Sequence, residues 1–223
     1  MAKKNEILRV TKPKEQARAA YNKLSRWYDV TSGFFEKKPR ELALNKLNVT
    51  EGEKVLEIGF GTGHCMLALA RSVGNSGKVY GIDISEGMLN VTKQRVSEAE
   101  LSERVELRRG DATQLPFESD IFDAIFMSFT LELFDTPEIP VVLAECKRVL
   151  RKGGRICVAA VSKEKAGLMT KIYEWLHKKI PRYADCRPIF LRRSLDEAGF
   201  QIVDVTAMPS WGFLGEIVVA KKT

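Results

Sequence analysis

The chain has 223 residues, 44% of them hydrophobic, and a formal net charge of +7. This length and composition fit one domain with a sizeable core. The first residues are charged and no apolar run approaches the length of a membrane span, which excludes a secretory leader and a spanning helix and predicts a cytoplasmic protein.

The four cysteines, Cys65, Cys146, Cys157 and Cys186, lie far apart and form no C-x-x-C pair. Their spacing argues against a disulfide framework and against a zinc site. We therefore expect reduced thiols and no metal.

Short apolar or β-branched runs alternate along the chain with segments of helical period. The predicted strands are KVLEIG (54–59), KVYGID (78–83), VELRRG (105–110), FDAIFM (122–127) and RICVAAV (155–161). Strand followed by helix, repeated, is typical of a parallel sheet covered on both faces. The alternation therefore predicts an α/β fold.

Two of the helical segments carry recognisable end signals. SEGMLNVTKQRVSEAE opens at Ser85, a plausible N-cap, and TPEIPVVLAECKRVL places Pro137 in its first turn and ends at KGG. At the end of the chain, FQIVDVTAMP and GFLGEIVVAKK are separated by only a few turn residues. Because a parallel crossover needs a longer connection, these two strands should form an antiparallel hairpin.

Three glycines stand at every second position directly after the first strand, in EKVLEIGFGTGHCMLALA (53–70). Glycine is used where the backbone takes a positive φ or where a Cβ would block a close approach. Gly59, Gly61 and Gly63 close a strand and open a helix, where backbone N–H groups of an α/β protein meet polar groups of a ligand. The loop therefore predicts a nucleotide-type cofactor.

The next strand ends in GIDIS, which places Asp83 twenty residues after Gly63. A carboxylate there can accept hydrogen bonds from both hydroxyls of a ribose, in NAD or in another adenosine cofactor. A dinucleotide fingerprint that began at Gly59 would need glycine where His64 stands. The carboxylate of Glu57 beside the loop suits a cofactor that carries an ammonium and a sulfonium. The spacing therefore disfavours NAD.

Four segments in order resemble the successive motifs of class I S-adenosylmethionine-dependent methyltransferases: VLEIGFGTG, GIDISEGML, GDATQLPFESDIFDAIFMSF and VLRKGGRICV, within residues 50–162. YNKLSRWYDVTSGFFE and LDEAGFQIVDV resemble the ubiquinone/menaquinone C-methyltransferase-like branch, related to bacterial phospholipid N-methyltransferases. The resemblance implies a single Rossmann-like domain with a seven-stranded sheet, mostly parallel with a C-terminal antiparallel hairpin and helices on both faces. It also implies S-adenosyl-L-methionine as cofactor and in-line SN2 transfer to a small or amphipathic acceptor, quinone-like or lipid.

The resemblance assigns the cofactor residues position by position. The loop residues Gly59, Phe60, Gly61 and Gly63 would lie against the methionine part, with Glu57 beneath them near the ammonium. The remaining assignments are Asp83 to the ribose, Ile84 and Met88 to the adenine face, Asp111 and Ala112 to the adenine edge, Ser128 to the methionine end, and Tyr28 as a cover over the cofactor.

Two residues are candidates for catalysis. Glu132 stands after the fourth strand, where quinone C-methyltransferases of this branch carry an arginine, and a carboxylate there would repel a phenolate and favour an amine or act as a base. His177 is the second candidate base, from the segment expected to cover the substrate opening.

The excess charge is confined to two segments. Residues 1–40 carry 11 Lys/Arg against 4 Asp/Glu, and residues 163–193 carry 9 against 3. We expect a helical lid over 1–40, a cofactor-binding core over 41–162, a basic amphipathic lid over 163–193, and a C-terminal helix and hairpin over 194–223. The basic lid predicts peripheral contact with an anionic membrane surface, and solvated helix faces are the alternative.

Other functions remain open at this point. Within the methyltransferases, N-methylation of a phospholipid headgroup or a small amine is the alternative to a quinone-like acceptor. A catalytically inactive cofactor-binding regulator and a nicotinamide-dependent oxidoreductase are the alternatives outside them. Nucleic acid is not expected as a partner, because no NPPY-like stretch follows the fourth strand. The oligomeric state is not indicated.

Overall fold

A computed structural model describes residues 7, 9–10, 14–24, 33–164, 187–210 and 213–223. These residues contain one sheet with the strand order β3-β2-β1-β4-β5-β7-β6. The strands are β1 (Lys54–Ile58), β2 (Lys78–Asp83), β3 (Val105–Arg109), β4 (Phe122–Ser128), β5 (Leu150–Val161), β6 (Phe200–Ser210) and β7 (Phe213–Lys222).

The first five strands are mutually parallel, and the last two are antiparallel. β7 pairs antiparallel with both β5 and β6, so the hairpin predicted from the short connection is confirmed. β1 lies between β2 and β4, with Glu57 opposite Gly81 on one side and Phe126 on the other. The strand order therefore reverses at β1, and a crevice opens outside the carboxyl ends of β1 and β4.

Helices cover both faces of this sheet, as predicted. Within the described residues they are α1 (Lys14–Leu24), α2 (Gly33–Leu47), α3 (His64–Ser72), α4 (Glu86–Glu98), α5 (Ile139–Val149) and α6 (Leu191–Glu197). α5 and α6 bury their apolar residues against one face, and α2, α3 and α4 pack on the other. None of the described helices is both long and apolar enough to cross a bilayer.

The predicted end signals were correct for α4 and wrong for α5. Ser85 is the N-cap of α4, and its Oγ accepts a hydrogen bond from the Met88 N–H at 3.1 Å. α5 begins at Ile139, with Pro140 rather than Pro137 in its first turn, because the carbonyl of Asp135 closes a turn before the helix. It ends at Val149, before KGG, because the next residue already pairs in β5.

The predicted segment boundaries at residues 41 and 194 fall inside helices. α2 runs from Gly33 to Leu47 and α6 from Leu191 to Glu197, so each helix crosses a boundary that charge counting had suggested. Most of the predicted basic lid, residues 165–186, lies outside the described residues, and its contact with a membrane stays a prediction.

Candidate active site

Glycine is required for a different structural reason at each of the three loop positions. All three take positive φ, at +72° for Gly59, +51° for Gly61 and +86° for Gly63. A Cβ on Gly59 would overlap the side chain of Thr130, and one on Gly63 would lie 2.7 Å from that of Thr92. A Cβ on Gly61 would meet nothing within 4 Å. Only Gly61 therefore leaves open space beside the loop.

The glycine loop is held by hydrogen bonds from both neighbouring elements. Gly59 N–H donates to the carbonyl of Ile82 at 2.8 Å, at the end of β2. Thr92 Oγ1, on α4, donates to the carbonyl of Gly61 at 2.9 Å. The Gly61 N–H donates to Asp83 Oδ2 at 3.0 Å. The loop is therefore preorganised between β2 and α4.

Asp83 connects the loop to the start of α4. Its Oδ1 accepts a hydrogen bond from the Ser85 N–H at 2.8 Å, while its Oδ2 binds Gly61. Burial raises the pKa of Asp83 to about 6, although backbone N–H donors oppose the shift. A carboxylate held in this way retains lone pairs for further donors, such as ribose hydroxyls.

A cavity lies at the carboxyl ends of β1, β2 and β4. Eight residues from the predicted cofactor set line it: Gly59, Gly61, Asp83, Ile84, Met88, Asp111, Ala112 and Ser128. They come from the carboxyl ends of β1, β2, β3 and β4 and the residues that follow them, with Met88 in the first turn of α4. The structure thus brings together most of the predicted set, in the crevice expected for this topology.

Three other predicted residues lie behind the cavity. Glu57 is 2% exposed and Phe60 3% exposed, and Gly63 is the N-cap of α3. Burial raises the pKa of Glu57 well above its usual value, nearby Asp83 adds to the shift, and Arg40 opposes it. These residues support the loop from beneath. Tyr28 and His177 lie outside the described residues, so their roles stay predictions.

Glu132 is not among the described residues that line the cavity. It is fully buried in a 3₁₀ turn (Leu131–Leu133), and its Oε1 accepts a hydrogen bond from the Val161 N–H at 3.2 Å. Its neighbours Leu133 and Phe134 line the cavity in its place. The catalytic role predicted for Glu132 gains no support from this geometry, because the carboxylate faces β5.

Sequence reasoning missed much of the opposite wall. The missed residues that line the cavity include Val10, Tyr21, Phe129, Thr130, Phe134, Asp135 and Glu138. Tyr21 belongs to α1, which is fastened to α4 because Asn22 Oδ1 accepts hydrogen bonds from Ser85 Oγ at 2.7 Å and from Gly87 N–H at 3.0 Å. Tyr21 opens the same YNKLSRWY segment that suggested Tyr28, so this signal was available.

Phe129 is a second missed residue with an unusual backbone. It follows β4 directly and has a φ of +51°, a conformation that is uncommon outside glycine. Its N–H donates to the carbonyl of Ala159 at 2.8 Å, which holds the chain in this turn. Backbone strain of this kind is concentrated at functional sites.

The residues present fit the cofactor that the resemblance implies. Gly61 offers open space, and Asp83 offers acceptors for a ribose. Of the buried oxygens for which no hydrogen bond to the described part of the chain is found, two belong to predicted cofactor residues, Glu57 Oε2 and Ser128 Oγ. An ammonium group near the paired carboxylates of Glu57 and Asp83 would be favoured by both.

Comparisons with known proteins agree with this geometry. A family profile described as a methyltransferase domain matches residues 55–154. The demethylmenaquinone methyltransferase of Bacillus subtilis is 33% identical over 172 residues, which cover 75% of this chain and 72% of that protein. The protein of that name from Symbiobacterium thermophilum is 33% identical over 205 residues, covering 84% and 80% of the two chains.

A solved structure gives the same result for the fold. The crystal structure of a SAM-dependent methyltransferase from Aquifex aeolicus is 26% identical, with a TM-score of 0.64 and coverage of 82% of this chain and 89% of that one. Fold, cavity and sequence thus agree, and the chain belongs to the class I S-adenosylmethionine-dependent methyltransferases, in the quinone C-methyltransferase-like branch.

Proposed function

We propose that this methyltransferase acts on a ring carbon of a quinone-like acceptor. The observation that carries the proposal is the position of Glu132. A carboxylate at the acceptor would repel a phenolate nucleophile, but Glu132 is fully buried and accepts a hydrogen bond from the backbone of β5. The carboxylate that argued against a quinone-like acceptor is therefore not among the residues that line the cavity.

The remaining wall suits a flat, largely apolar molecule. Val10, Phe129, Leu133 and Phe134 contribute apolar surface beyond Ser128. Two carboxylates, Asp135 and Glu138, also line this part. Arg9 pairs with Asp135 through two nitrogens, with the shortest contact at 2.7 Å, and Glu138 Oε2 accepts a hydrogen bond from the Asp135 N–H at 3.2 Å. Apolar walls with a few fixed polar groups are typical of small-molecule sites. The names of the relatives, demethylmenaquinone methyltransferases, support the same class of acceptor.

The chain's own residues have to position the acceptor rather than activate the methyl group. S-adenosylmethionine supplies a methyl group that is already activated by the sulfonium. When the ring carbon of the reduced quinol bonds the methyl carbon, the methyl–sulfur bond breaks, S-adenosylhomocysteine is released, and the ring C–H proton is lost to solvent. Asp83 and the Gly61 loop would hold its ribose and methionine ends, and Ser128 would orient the methionine end toward the acceptor. Val10 and Phe134 would exclude water from the acceptor. Holding two reactants in this way contributes effective molarities of about 10⁵ M or more.

The test is methyl transfer to defined acceptors. Purified protein, S-adenosylmethionine with a ¹³C-methyl group and a short-chain prenyl naphthoquinol that lacks the ring methyl are incubated, and the product is identified by mass spectrometry. We expect the label on the ring carbon. Parallel incubation with phosphatidylethanolamine vesicles tests the alternative, and label on the headgroup nitrogen without label on the quinol would overturn the proposal.

We also infer that the enzyme meets its acceptor at a membrane surface. A quinone-like acceptor with a hydrocarbon chain partitions into the bilayer, and residues 1–40 and 163–193 carry the excess positive charge. Sedimentation with anionic vesicles should therefore show binding that weakens between low and physiological salt. Lys178→Glu with Lys179→Glu should reduce this binding, and equal sedimentation with neutral vesicles would refute the inference.

A further inference from the structure

The Asp135 carboxylate fastens the N-terminal segment to the loop after β4. Arg9 Nε donates to both carboxylate oxygens at 2.9 Å, and Arg9 Nη2 donates to Oδ2 at 2.7 Å. The N–H groups of Val10 and Thr136 donate to Oδ1 at 2.9 and 2.8 Å. The hydrogen bonds from Arg9 hold the pKa of Asp135 at about 2. The carboxylate is therefore ionised and saturated with donors at any ordinary pH.

The other side of the same loop is held by a buried arginine. Arg187 is fully buried and donates to the carbonyl of Phe134 and, at 3.2 Å, to Thr136 Oγ1. Burial lowers the pKa of Arg187 to about 10, while the nearby carboxylates of Asp135 and Glu132 oppose the shift. Negative and positive side chains therefore alternate across three chain segments, in the order Glu132, Arg187, Asp135 and Arg9.

This arrangement belongs to the wall of the cavity. Val10, Phe134 and Asp135 line the cavity, whereas Arg187 and Glu132 lie behind it. Ile7, three residues before Val10, packs against the hydrophobic core. The N-terminal segment is thus anchored at Ile7 and at Asp135, and Val10 and Phe134 both line the cavity.

The ion pair between Arg9 and Asp135 orients the N-terminal segment and adds little to the stability of the whole fold. The Arg9 side chain is 66% exposed, and exposed ion pairs contribute little to global stability. The Val10 N–H has a defined acceptor only when the Asp135 carboxylate is in place. Removal of the carboxylate should therefore release the segment without unfolding the sheet.

We propose that Asp135 is a positioning residue for the acceptor, which it serves by fixing Val10 and Phe134 as one wall. The inference rests on the proposed function in taking the acceptor to be quinone-like and bound beyond Ser128. It predicts that acceptor binding depends on Asp135 and that cofactor binding does not, because the Asp135 carboxylate accepts hydrogen bonds from Arg9, Val10 and Thr136, none of which is assigned to the cofactor.

The test is a pair of titrations on the full chain. Protein saturated with S-adenosylhomocysteine is titrated calorimetrically with a short-chain prenyl naphthoquinone that lacks the ring methyl. For Asp135→Ala, which removes both carboxylate oxygens, we expect about tenfold weaker quinone affinity and S-adenosylhomocysteine affinity within twofold of wild type. Arg9→Met should give a smaller loss, because the Val10 N–H keeps its acceptor on Asp135, and the double variant should be no worse than Asp135→Ala alone.

Asp204→Ala is the matched control. Asp204, on β6, also pairs with one cation, Lys46, at 3.0 Å, on a partly exposed surface outside the cavity. Its replacement should leave both affinities unchanged. Unchanged quinone affinity in Asp135→Ala, or an equal loss of S-adenosylhomocysteine affinity, would overturn the inference.

Hydrogen exchange separates this inference from the proposed function. If wild type does not bind the quinone, the proposed acceptor is wrong. The attachment of the segment is then tested by hydrogen exchange at the Val10 amide, which should become faster in Asp135→Ala and stay unchanged in Asp204→Ala. Unchanged exchange at Val10 in both variants would overturn the role of Asp135 whatever the acceptor is.

Discussion

Replacement of Gly61 by alanine tests whether the glycine loop faces the cofactor. Gly61 has a φ of +51°, and an added Cβ would meet no protein atom within 4 Å. Gly153, at the start of β5, has a φ of +73° and equally open surroundings, but it lies outside the cavity. The two substitutions therefore impose similar backbone strain, and only one of them places a methyl group in the cavity.

The expected magnitudes separate the two effects. A left-handed conformation costs an alanine about 1–2 kcal/mol. Both variants should therefore lose about 1 kcal/mol of unfolding free energy, which lowers the melting temperature of a chain of this size by about 2–4 °C. Gly61→Ala should in addition bind S-adenosylhomocysteine at least about a hundredfold more weakly, which corresponds to about 2.7 kcal/mol. Gly153→Ala should bind it like wild type.

Calorimetric titration with S-adenosylhomocysteine and a thermal melt of each ligand-free variant provide the measurements. Wild-type affinity in Gly61→Ala would show that the ligand does not approach this loop. An equal loss of affinity in both variants would mean that backbone strain, rather than occupied ligand space, weakens binding. Either result would refute the placement of the cofactor beside Gly61.

Three further predictions concern single side chains. Because the pKa of Asp83 is about 6, the affinity of the wild type for S-adenosylhomocysteine should fall about tenfold per pH unit below pH 6. The ligand-free protein should gain stability as the pH falls from about 6 toward 4, because the carboxyl group binds its proton more tightly in the folded than in the unfolded chain. Asp83→Asn should bind the ligand weakly at every pH, and a wild-type pH profile in that variant would contradict the assignment. Gly59→Ala should lose about 2 kcal/mol more unfolding free energy in urea than Gly61→Ala, because its Cβ would overlap Thr130, and equal midpoints would contradict this. Arg155→Ala should lose about 2 kcal/mol of unfolding free energy, or about 4–8 °C in melting temperature. The reason is that Arg155 contacts Glu53 twice at 2.8 Å and donates hydrogen bonds to two carbonyls at the end of α2. A melting temperature within about 1 °C of wild type would refute this role.

Much of the fold follows from patterns that are local in the sequence. The apolar runs at 54–59 and 78–83 predicted β1 and β2 because a buried parallel strand needs continuous apolar residues. The few residues between FQIVDVTAMP and GFLGEIVVAKK required an antiparallel hairpin, since no crossover fits in so short a connection. Ser85 was recognisable as an N-cap because its partner, Met88, lies within one helical turn.

The cavity wall that consists of the predicted cofactor residues was also predictable from local patterns, once the strands were assigned. Parallel strands place their carboxyl ends at one edge, so Gly61, Asp83, Asp111 and Ser128 had to converge once the strands were assigned. The sequence by itself therefore determined which edge of the sheet carries the site and which loops supply it.

Only the tertiary structure decided what each of those residues contacts. Gly59 is crowded by Thr130 and Gly63 by Thr92, so one glycine of three leaves space for a ligand, which the regular G-x-G-x-G spacing does not reveal. Glu132 Oε1 accepts a hydrogen bond from the Val161 N–H of β5, and Leu133 and Phe134 line the cavity instead of Glu132.

The cavity wall that contains Val10, Phe134 and Asp135 depends still more on contacts between residues that are far apart in sequence. Arg9 and Asp135 are 126 positions apart, and Arg187 reaches the same loop from a third segment. Charge counting placed Arg187 among the residues of a basic surface, whereas the structure buries it behind Phe134. Hydrophobic period and spacing report only near neighbours, so the direction of a side chain and the partner of a charge are decided when remote segments pack together.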